Sequence, residues 1–257
     1  MPDCTCWTYC AGGDDWTCET CDGDQQSPIA ITNCSAIAEP LQLKLGCAAY
    51  NATVTNTGTT VQYQVTCPTE ANHLGSFTQG GTTHYVRYLR FHAPAEHQVQ
   101  GKVYEMEMEL VAYSCVDPCE DCCPTAVLSV FWEQGCDSSF LNSVEWGCEL
   151  FRTLLLPKGD NCDELVYRCV CQINLQWLNQ LVCPSYYRYD GSLTAPPCSQ
   201  PVERFILCRP QQLSACQLWA FHKLLCYLPR TKNADGSHRN SRNRQPLGER
   251  TVDCHCA

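Results

Sequence analysis

Two runs, residues 86–92 and 105–111, alternate their side chains with a period of two, the pattern of a strand whose faces meet different surroundings. In the first run Val86, Tyr88, Arg90 and His92 fall on one face and Arg87, Leu89 and Phe91 on the other. In the second, Glu105, Glu107, Glu109 and Val111 share a face, while Tyr104, Met106, Met108 and Leu110 look the opposite way. A short polar connection lets the two runs pair. Pairing would bring Arg90 and His92 beside Glu107 and Glu109.

The same alternation predicts half-buried strands over 41–45 and 60–65, with a turn at Asn56-Thr57-Gly58-Thr59. The continuous apolar run 126–131 suits a strand buried on both faces. Helical spacing of Leu141, Val144, Cys148, Phe151, Leu154 and Leu155 predicts a helix over 141–156, ended by Pro157-Lys158-Gly159-Asp160. A second helix is expected over 215–225, where Ser214 and Gln217 have capping-box spacing and Leu218, Phe221 and Leu225 continue one face. Strands dominate, so the fold class is mainly β with short peripheral helices.

Composition changes this picture in one respect. A chain of 257 residues can build a large core without covalent staples, yet it carries 24 cysteines. That excess predicts an oxidising compartment and a disulfide framework, hence a secreted or extracellular protein. Cys18-x-x-Cys21 and Cys119-x-x-Cys122 have zinc-ribbon spacing, but with thiols throughout the chain disulfides are the favoured reading. The lead-in 1–26 shows little periodicity and is expected to be pinned by Cys4, Cys6, Cys10, Cys18 and Cys21. Segment 162–183 brings extra cysteines, and the Cys254-His255-Cys256 ending is expected either to bridge back to the N-terminal cysteines or to meet a neighbouring chain.

The formal charge is -10 without a long basic run, which argues against a nucleic-acid partner. No apolar run reaches membrane-span length. The opening MPDCTCWTYC has neither the basic nor the apolar region of a signal peptide, so a processed product or excised domain is expected. Asn33-Cys34-Ser35 and Asn51-Ala52-Thr53 are glycosylation candidates.

Several stretches together resemble one family. Trp7, Tyr9 and Trp16, the Gln26-Ser27-Pro28-Ile29 segment, YLRFHAPAEH followed by EMELVA, GSLTAPPC at 191–198 and the ending 240–250 all resemble landmarks of the alpha-class carbonic anhydrases. The resemblance runs from about 7 to 252, so a single domain over 1–257 on a large twisted sheet is expected. In that family three histidines hold zinc; here the corresponding positions are Arg90, His92 and Glu109. Thr59 stands where the resemblance implies a proton-shuttling histidine, and threonine does not titrate near neutral pH. Thr194 and Glu96 match the pair that orients the metal-bound hydroxide. Val111, Val127, Leu193 and Val202 match the carbon dioxide pocket, into which Arg204 enters where the family has tryptophan. His97 matches a structural histidine. The resemblance also implies a Cys21 to Cys198 disulfide.

Arginine stays protonated and has no lone pair to donate. A dication and a guanidinium about 4 Å apart repel by roughly 8 kcal/mol at an effective dielectric of ~20. Arg90 is therefore expected to replace the metal, held by Glu109 with help from His92, Glu107 and Glu96, and Arg204 to make the pocket smaller or wetter unless a strand shift turns it outward. The implied protein is a non-catalytic carbonic-anhydrase-like domain without cofactor. It would bind other extracellular proteins or copies of itself, in a disulfide-crosslinked assembly. The alternative is a divergent carbonate dehydratase recruiting zinc through His92, Glu109 and a third ligand, cysteine or histidine. A third reading, calcium or carbonate mineral bound by acidic residues 117–121, rests on the acidic balance alone. His73, His84, His222, His238 and His255 lack ligand spacing and are expected to be surface or core histidines.

Overall fold

The two alternating runs become neighbouring antiparallel strands at the middle of a thirteen-stranded sheet. In the computed structural model, residues 7–46, 50–65, 73–116, 122–147, 165–180 and 184–256 are described. Their strands are β1 (Ala30–Ile31), β2 (Ser35–Ala36), β3 (Gln42–Leu45), β4 (Tyr50–Asn56), β5 (Val61–Val65), β6 (Gly75–Gln79), β7 (Thr82–His92) and β8 (Gln98–Val99). After them come β9 (Lys102–Val103), β10 (Met106–Tyr113), β11 (Ala126–Gln134), β12 (Leu165–Ile173), β13 (Tyr186–Gly191), β14 (Val202–Leu207), β15 (Gln211–Leu213) and β16 (Asp253–His255). The main path runs β12-β4-β5-β7-β10-β11-β14-β13-β16-β2, with β3 and β6 joined to β7 and β15 to β11. Most pairs are antiparallel; β11 with β14 is parallel.

Central position explains why β10 is buried from Met106 to Ala112 on both faces. Met106, Met108, Leu110 and Ala112 enter the main hydrophobic core with Leu89, Phe91, Leu128 and Val130, closed by Phe221, Leu224 and Leu225 of the helix Ala215–Leu225. The other face of β10 carries Glu107 and Glu109, both fully buried. Carboxylates at such positions require charged or hydrogen-bonded partners.

One expected face assignment changes. Val111 pairs with Tyr88 but Ala112 pairs with Val86, so β7 bulges at Arg87. The extra residue reverses the alternation, and Val86 joins Leu89 and Phe91 in the core instead of sharing a face with Arg90.

The expected strands at 41–45, 60–65 and 126–131 correspond to β3, β5 and β11. The helix expected over 215–225 is α2 (Ala215–Leu225), with a complete capping box between Ser214 and Gln217. The other expected helix is shorter: α1 spans Ser139–Ser143, capped by Ser138, and Glu145 at φ 57 breaks it. Residues 144–147 form turns, and 148–156 of the expected length, including Cys148, Phe151, Leu154 and Leu155, lie outside the described residues. So do Cys4, Cys6, Cys119, Cys162, Cys183 and the acidic stretch 117–121.

Cys21 is bonded to Cys198, as the resemblance implied, and Cys34 to Cys254. The second bridge returns the C-terminal segment to the residues before β2. Cys18 and Cys122 are also disulfide-bonded. Asn33 is exposed beside Cys34, and Asn51 lies on β4. Among the described residues no helix is long and apolar enough to cross a membrane.

Candidate functional site

Strand register builds the site. Arg90 of β7 lies opposite Glu109 of β10, and His92 lies opposite Glu107. Beyond β10, Ser129 of β11 pairs with Glu109, and Val127 of β11 pairs with Arg204 of β14. Arg204 thus stands two strands away from Glu109 and has the side-chain length to reach it. Its Nη2 donates to Glu109 Oε1 at 2.5 Å and to Ser129 Oγ at 3.4 Å, and Nη1 donates to the Ser192 carbonyl at 3.5 Å. Arg204 is fully buried, which excludes the outward-turned strand shift.

Arg90 is less tightly held. Its Nη2 donates to Glu109 Oε2 at 3.3 Å, and its side chain is 13% exposed. His92 Nε2 approaches the same oxygen at 3.5 Å, the outer limit of a hydrogen bond. Glu109 therefore gives one oxygen to Arg204 and shares the other between Arg90 and His92. Burial pushes its carboxyl upward, but Arg204, His92 and Arg90 together hold it well below the usual range.

The ring of His92 is fixed from behind. Nδ1 donates to the Asn240 carbonyl at 2.7 Å, so the proton sits there in the neutral ring and Nε2 turns toward Glu109. Burial lowers the imidazole's pKa, yet Glu96 and Glu109 outweigh it and raise the value to about 9. Glu96 Oε1 lies 3.5 Å from His92 Nδ1 and accepts from the backbone N–H of Arg242 at 2.8 Å. Burial, the leading cause, raises the Glu96 carboxyl. Glu96 Oε2 and Thr194 Oγ1 are buried without a hydrogen-bond partner, and His92 Nε2 has only the 3.5 Å approach to Glu109.

Two expected partners of Arg90 are engaged elsewhere. Glu107 accepts from His97 Nδ1 at 2.8 Å and from the backbone N–H groups of Glu96 and His97 at 3.0 Å each. Its contact with a guanidinium is to Arg204, at 3.9 Å. Burial opposes its charge, but His97 brings its pKa down to about 2. Glu96 serves His92 and Arg242. The expectation that these two carboxylates hold Arg90 is therefore corrected, and the guanidinium seated most closely on Glu109 is that of Arg204.

Val111, Val127, Leu193 and Val202, the residues matched to the carbon dioxide pocket, form one buried cluster with Tyr88 against it, and Arg204 is the strand partner of Val127. Thr59 is buried and touches Thr57 Oγ1 at 3.1 Å. His84 is a buried histidine 3.1 Å from Glu203, in keeping with a core role. Residues not singled out as functional also shape the site. Asn240 clamps the end of β7 through the Phe91 carbonyl and the Ala93 N–H, and Tyr189 links His97 to Ser27. Arg242 holds Gln26, Ser27 and Cys21. Asn240 and Arg242 were signalled in sequence only by the matching ending 240–250, and Tyr189 lies in no matching segment.

This donor set does not fit a three-histidine zinc site. Arg90 offers no lone pair, and Glu109 is already neutralised by a guanidinium at hydrogen-bond distance. His92, Glu96 and Glu109 do bring ligand-type atoms within 4.8 Å of one another.

Comparison with known proteins agrees with this architecture. The family model described as eukaryotic-type carbonic anhydrase matches residues 11–256. A carbonic anhydrase of Klebsiella pneumoniae is 32% identical over 200 residues, covering 78% of this chain and 68% of that protein. Among solved structures, the alpha-carbonic anhydrase of Thermovibrio ammonificans with the inhibitor sulfanilamide superposes with a TM-score of 0.69 at 27% identity, covering 96% of this chain and 98% of that one. Dioscorin complexed with ascorbate gives a TM-score of 0.74 at 24% identity, covering 96% and 97%.

Proposed function

The chain belongs to the eukaryotic-type carbonic anhydrase family, and we propose that it is a non-catalytic, metal-free member used extracellularly as a binding or structural unit. The observation that carries this reading is the buried Arg204 guanidinium bonded to Glu109 at 2.5 Å, with Arg90 at the neighbouring ligand position. Catalytic zinc needs three neutral or anionic ligands and an open position for water. Here one such position is cationic and another is an ion pair. Threonine at position 59 removes the titrating side chain expected at the proton-transfer position. The retained Thr194 and Glu96 are remnants of the hydroxide-orienting pair. The disulfides support an oxidising compartment such as the cell exterior.

The test is elemental analysis of the native protein together with carbon dioxide hydration measured with and without a sulfonamide. Less than a tenth of an equivalent of zinc and no sulfonamide-sensitive hydration is the expected result. One zinc per chain with inhibitable hydration would overturn the reading.

A zinc-dependent carbonate dehydratase is the second reading. It is favoured by the approach of His92, Glu96 and Glu109, and by relatives that are themselves named carbonic anhydrases. Its third ligand would be the carboxylate of Glu96, where cysteine or histidine was expected. For this arrangement to hold a dication, Glu109 has to offer Oε2, the oxygen now shared by Arg90 and His92, and the ion is then repelled by the two guanidinium groups that contact the same carboxylate.

A further inference from the structure

We propose that the groove between α1 and the turn following β12 binds a neutral oligosaccharide, an inference independent of the charged cluster and of any metal there. Helix α1 (Ser139–Ser143) and the 3-10 turn Gln176–Gln180 border a surface cavity of about 560 Å³, within the roughly 300–1,000 Å³ span of small-molecule sites. Phe140 and Trp177 line it with ring centroids 5.3 Å apart, and both pack on Trp132 of β11. Trp132 pairs with Met106 of β10 and shares its core. The groove therefore stands over the core face of the sheet, away from Glu107 and Glu109 on the other.

Every side chain lining the cavity is uncharged, so an ionic ligand would meet no counter-charge. Ser139, Asn174, Gln176 and Gln180 are exposed. Among the described residues, the Ser139 hydroxyl and the Gln176 and Gln180 amides make no hydrogen bond, and Asn174 uses only Oδ1, which accepts from the Gln176 N–H at 2.8 Å. A primary amide both donates and accepts, as a hydroxyl does. The ligand that answers several such groups in succession carries neighbouring hydroxyls. Half-buried Trp177, with Phe140 packed on it, adds an apolar π surface suited to the C–H face of a sugar ring. Asn179 fixes the turn in place: it accepts from the Leu45 N–H at 2.8 Å and donates to the Leu45 carbonyl at 2.6 Å. A turn already held in this way has less freedom to lose on binding.

Topology disfavours a peptide as the guest. An extended peptide docks by adding its backbone to a strand edge, and here the lining comes from α1, the 3-10 turn and Asn174, the residue after β12. Exposed amides exchange water for sugar at little net gain per bond, so several sugar units are needed for measurable affinity.

The test is saturation-transfer NMR on the full chain titrated with cellotriose, maltotriose, mannotriose and triacetylchitotriose, with a sulfated heparin tetrasaccharide and an uncharged Ser-Gly-Asn peptide for comparison. Saturable binding of at least one neutral trisaccharide is expected, with transfer strongest to the C–H protons of one ring face. Replacing Gln176 and Gln180 together by alanine should weaken it about tenfold or more, as two lost hydrogen bonds imply. The thermal midpoint should not move, since both residues are exposed and unbonded within the fold. Glu249→Gln, at a separate charged cavity, should leave binding unchanged. Should the double variant not fold, Ser139→Ala is expected to weaken binding on its own. Absence of binding by all four neutral sugars, equal binding by the folded variant, or stronger binding of the heparin fragment or the peptide would overturn the proposal. None of these outcomes touches the metal-free reading, which zinc analysis decides separately.

Discussion

Arg204 and Arg90 hold the same carboxylate unequally, and the difference can be measured. Replacing Arg204 by methionine leaves Glu109 fully buried against weaker partners, a loss expected to cost about 3–5 kcal/mol. Arg90→Met removes a longer bond from a side chain that is 13% exposed, and about 1.5–3 kcal/mol is expected. Urea unfolding of both variants gives the order, and a larger loss for Arg90 would make it the principal partner after all. The same geometry governs reversion toward a zinc site. Restoring histidine at 90 and 109 strands Arg204, so tight zinc binding is expected only when Arg204→Trp is added. Isothermal titration of the double and triple variants tests this, and equal zinc affinity in the two would refute the role given to Arg204. Arg90, His92 and Glu109 were legible as a damaged ligand set because they fall inside a recognisable motif. The dominance of Arg204 was not, because it depends on which guanidinium reaches Glu109 across β11 and side-chain reach is not written in strand spacing.

Cross-strand ladders show the same limit among the secondary-structure elements. Alternation in β7 and β10 brought Arg90 and His92 beside Glu107 and Glu109, since the faces that must be buried constrain register, while the individual pairs, Glu107 with His92 and Glu109 with Arg90, came from the structure. The bulge at Arg87 left no trace, because no glycine or proline marks it. Strand β12 was likewise missed: its partner β4 lies more than a hundred residues earlier, and its cysteine-rich sequence resembled loop. A second ladder, away from the candidate site, gives an acid-stability prediction. Glu203 of β14 lies 3.1 Å from His84 of β7 and 2.5 Å from Arg188 of β13, which itself reaches Asp253 of β16 at 3.5 Å. The hydrogen bond with His84 is the leading cause that brings the Glu203 pKa down to about 2, with Arg188 adding to it against partial burial. A carboxyl depressed in the folded state contributes stability above its unfolded value of about 4.5, and loses that contribution as pH falls through about 2. Glu203→Gln should therefore flatten the decline in stability between pH 4.5 and 2 relative to the wild-type protein. An unchanged acid limb in denaturant melts at several pH values would show that this ladder does not carry the effect.

For the molecule as a whole, two bridges already join distant parts of the chain. Cys21–Cys198 and Cys34–Cys254 span 177 and 220 residues, and loops of that length lie at the upper end of what crosslinking can contribute, about 5 kcal/mol in the chain-entropy picture. Residues 26–31 and 252–254 are thereby held around a sheet whose core is extensive without them. Among the described residues, Cys10, Cys115, Cys123, Cys136, Cys216, Cys226 and Cys256 are exposed and carry no disulfide, while Cys208 is half-buried. Exposed thiols on an oxidised, disulfide-bearing protein are poised for exchange with other chains, since access decides which sulfurs react. Two of them, Cys216 in α2 and Cys226 just past its end, are close in sequence to Trp219 and Tyr227, which are 56% and 48% exposed. Protein recovered from an oxidising compartment and blocked with an alkylating agent should therefore contain disulfide-linked multimers that collapse to 28.8 kDa on reduction. Replacing Cys216 and Cys226 together by serine should reduce the multimer fraction without lowering the thermal midpoint, because neither is bridged within the fold. Non-reducing electrophoresis and mass spectrometry read both outcomes. A monomer whose bridges all close within one chain would remove the crosslinked assembly and leave the single-domain binding unit standing.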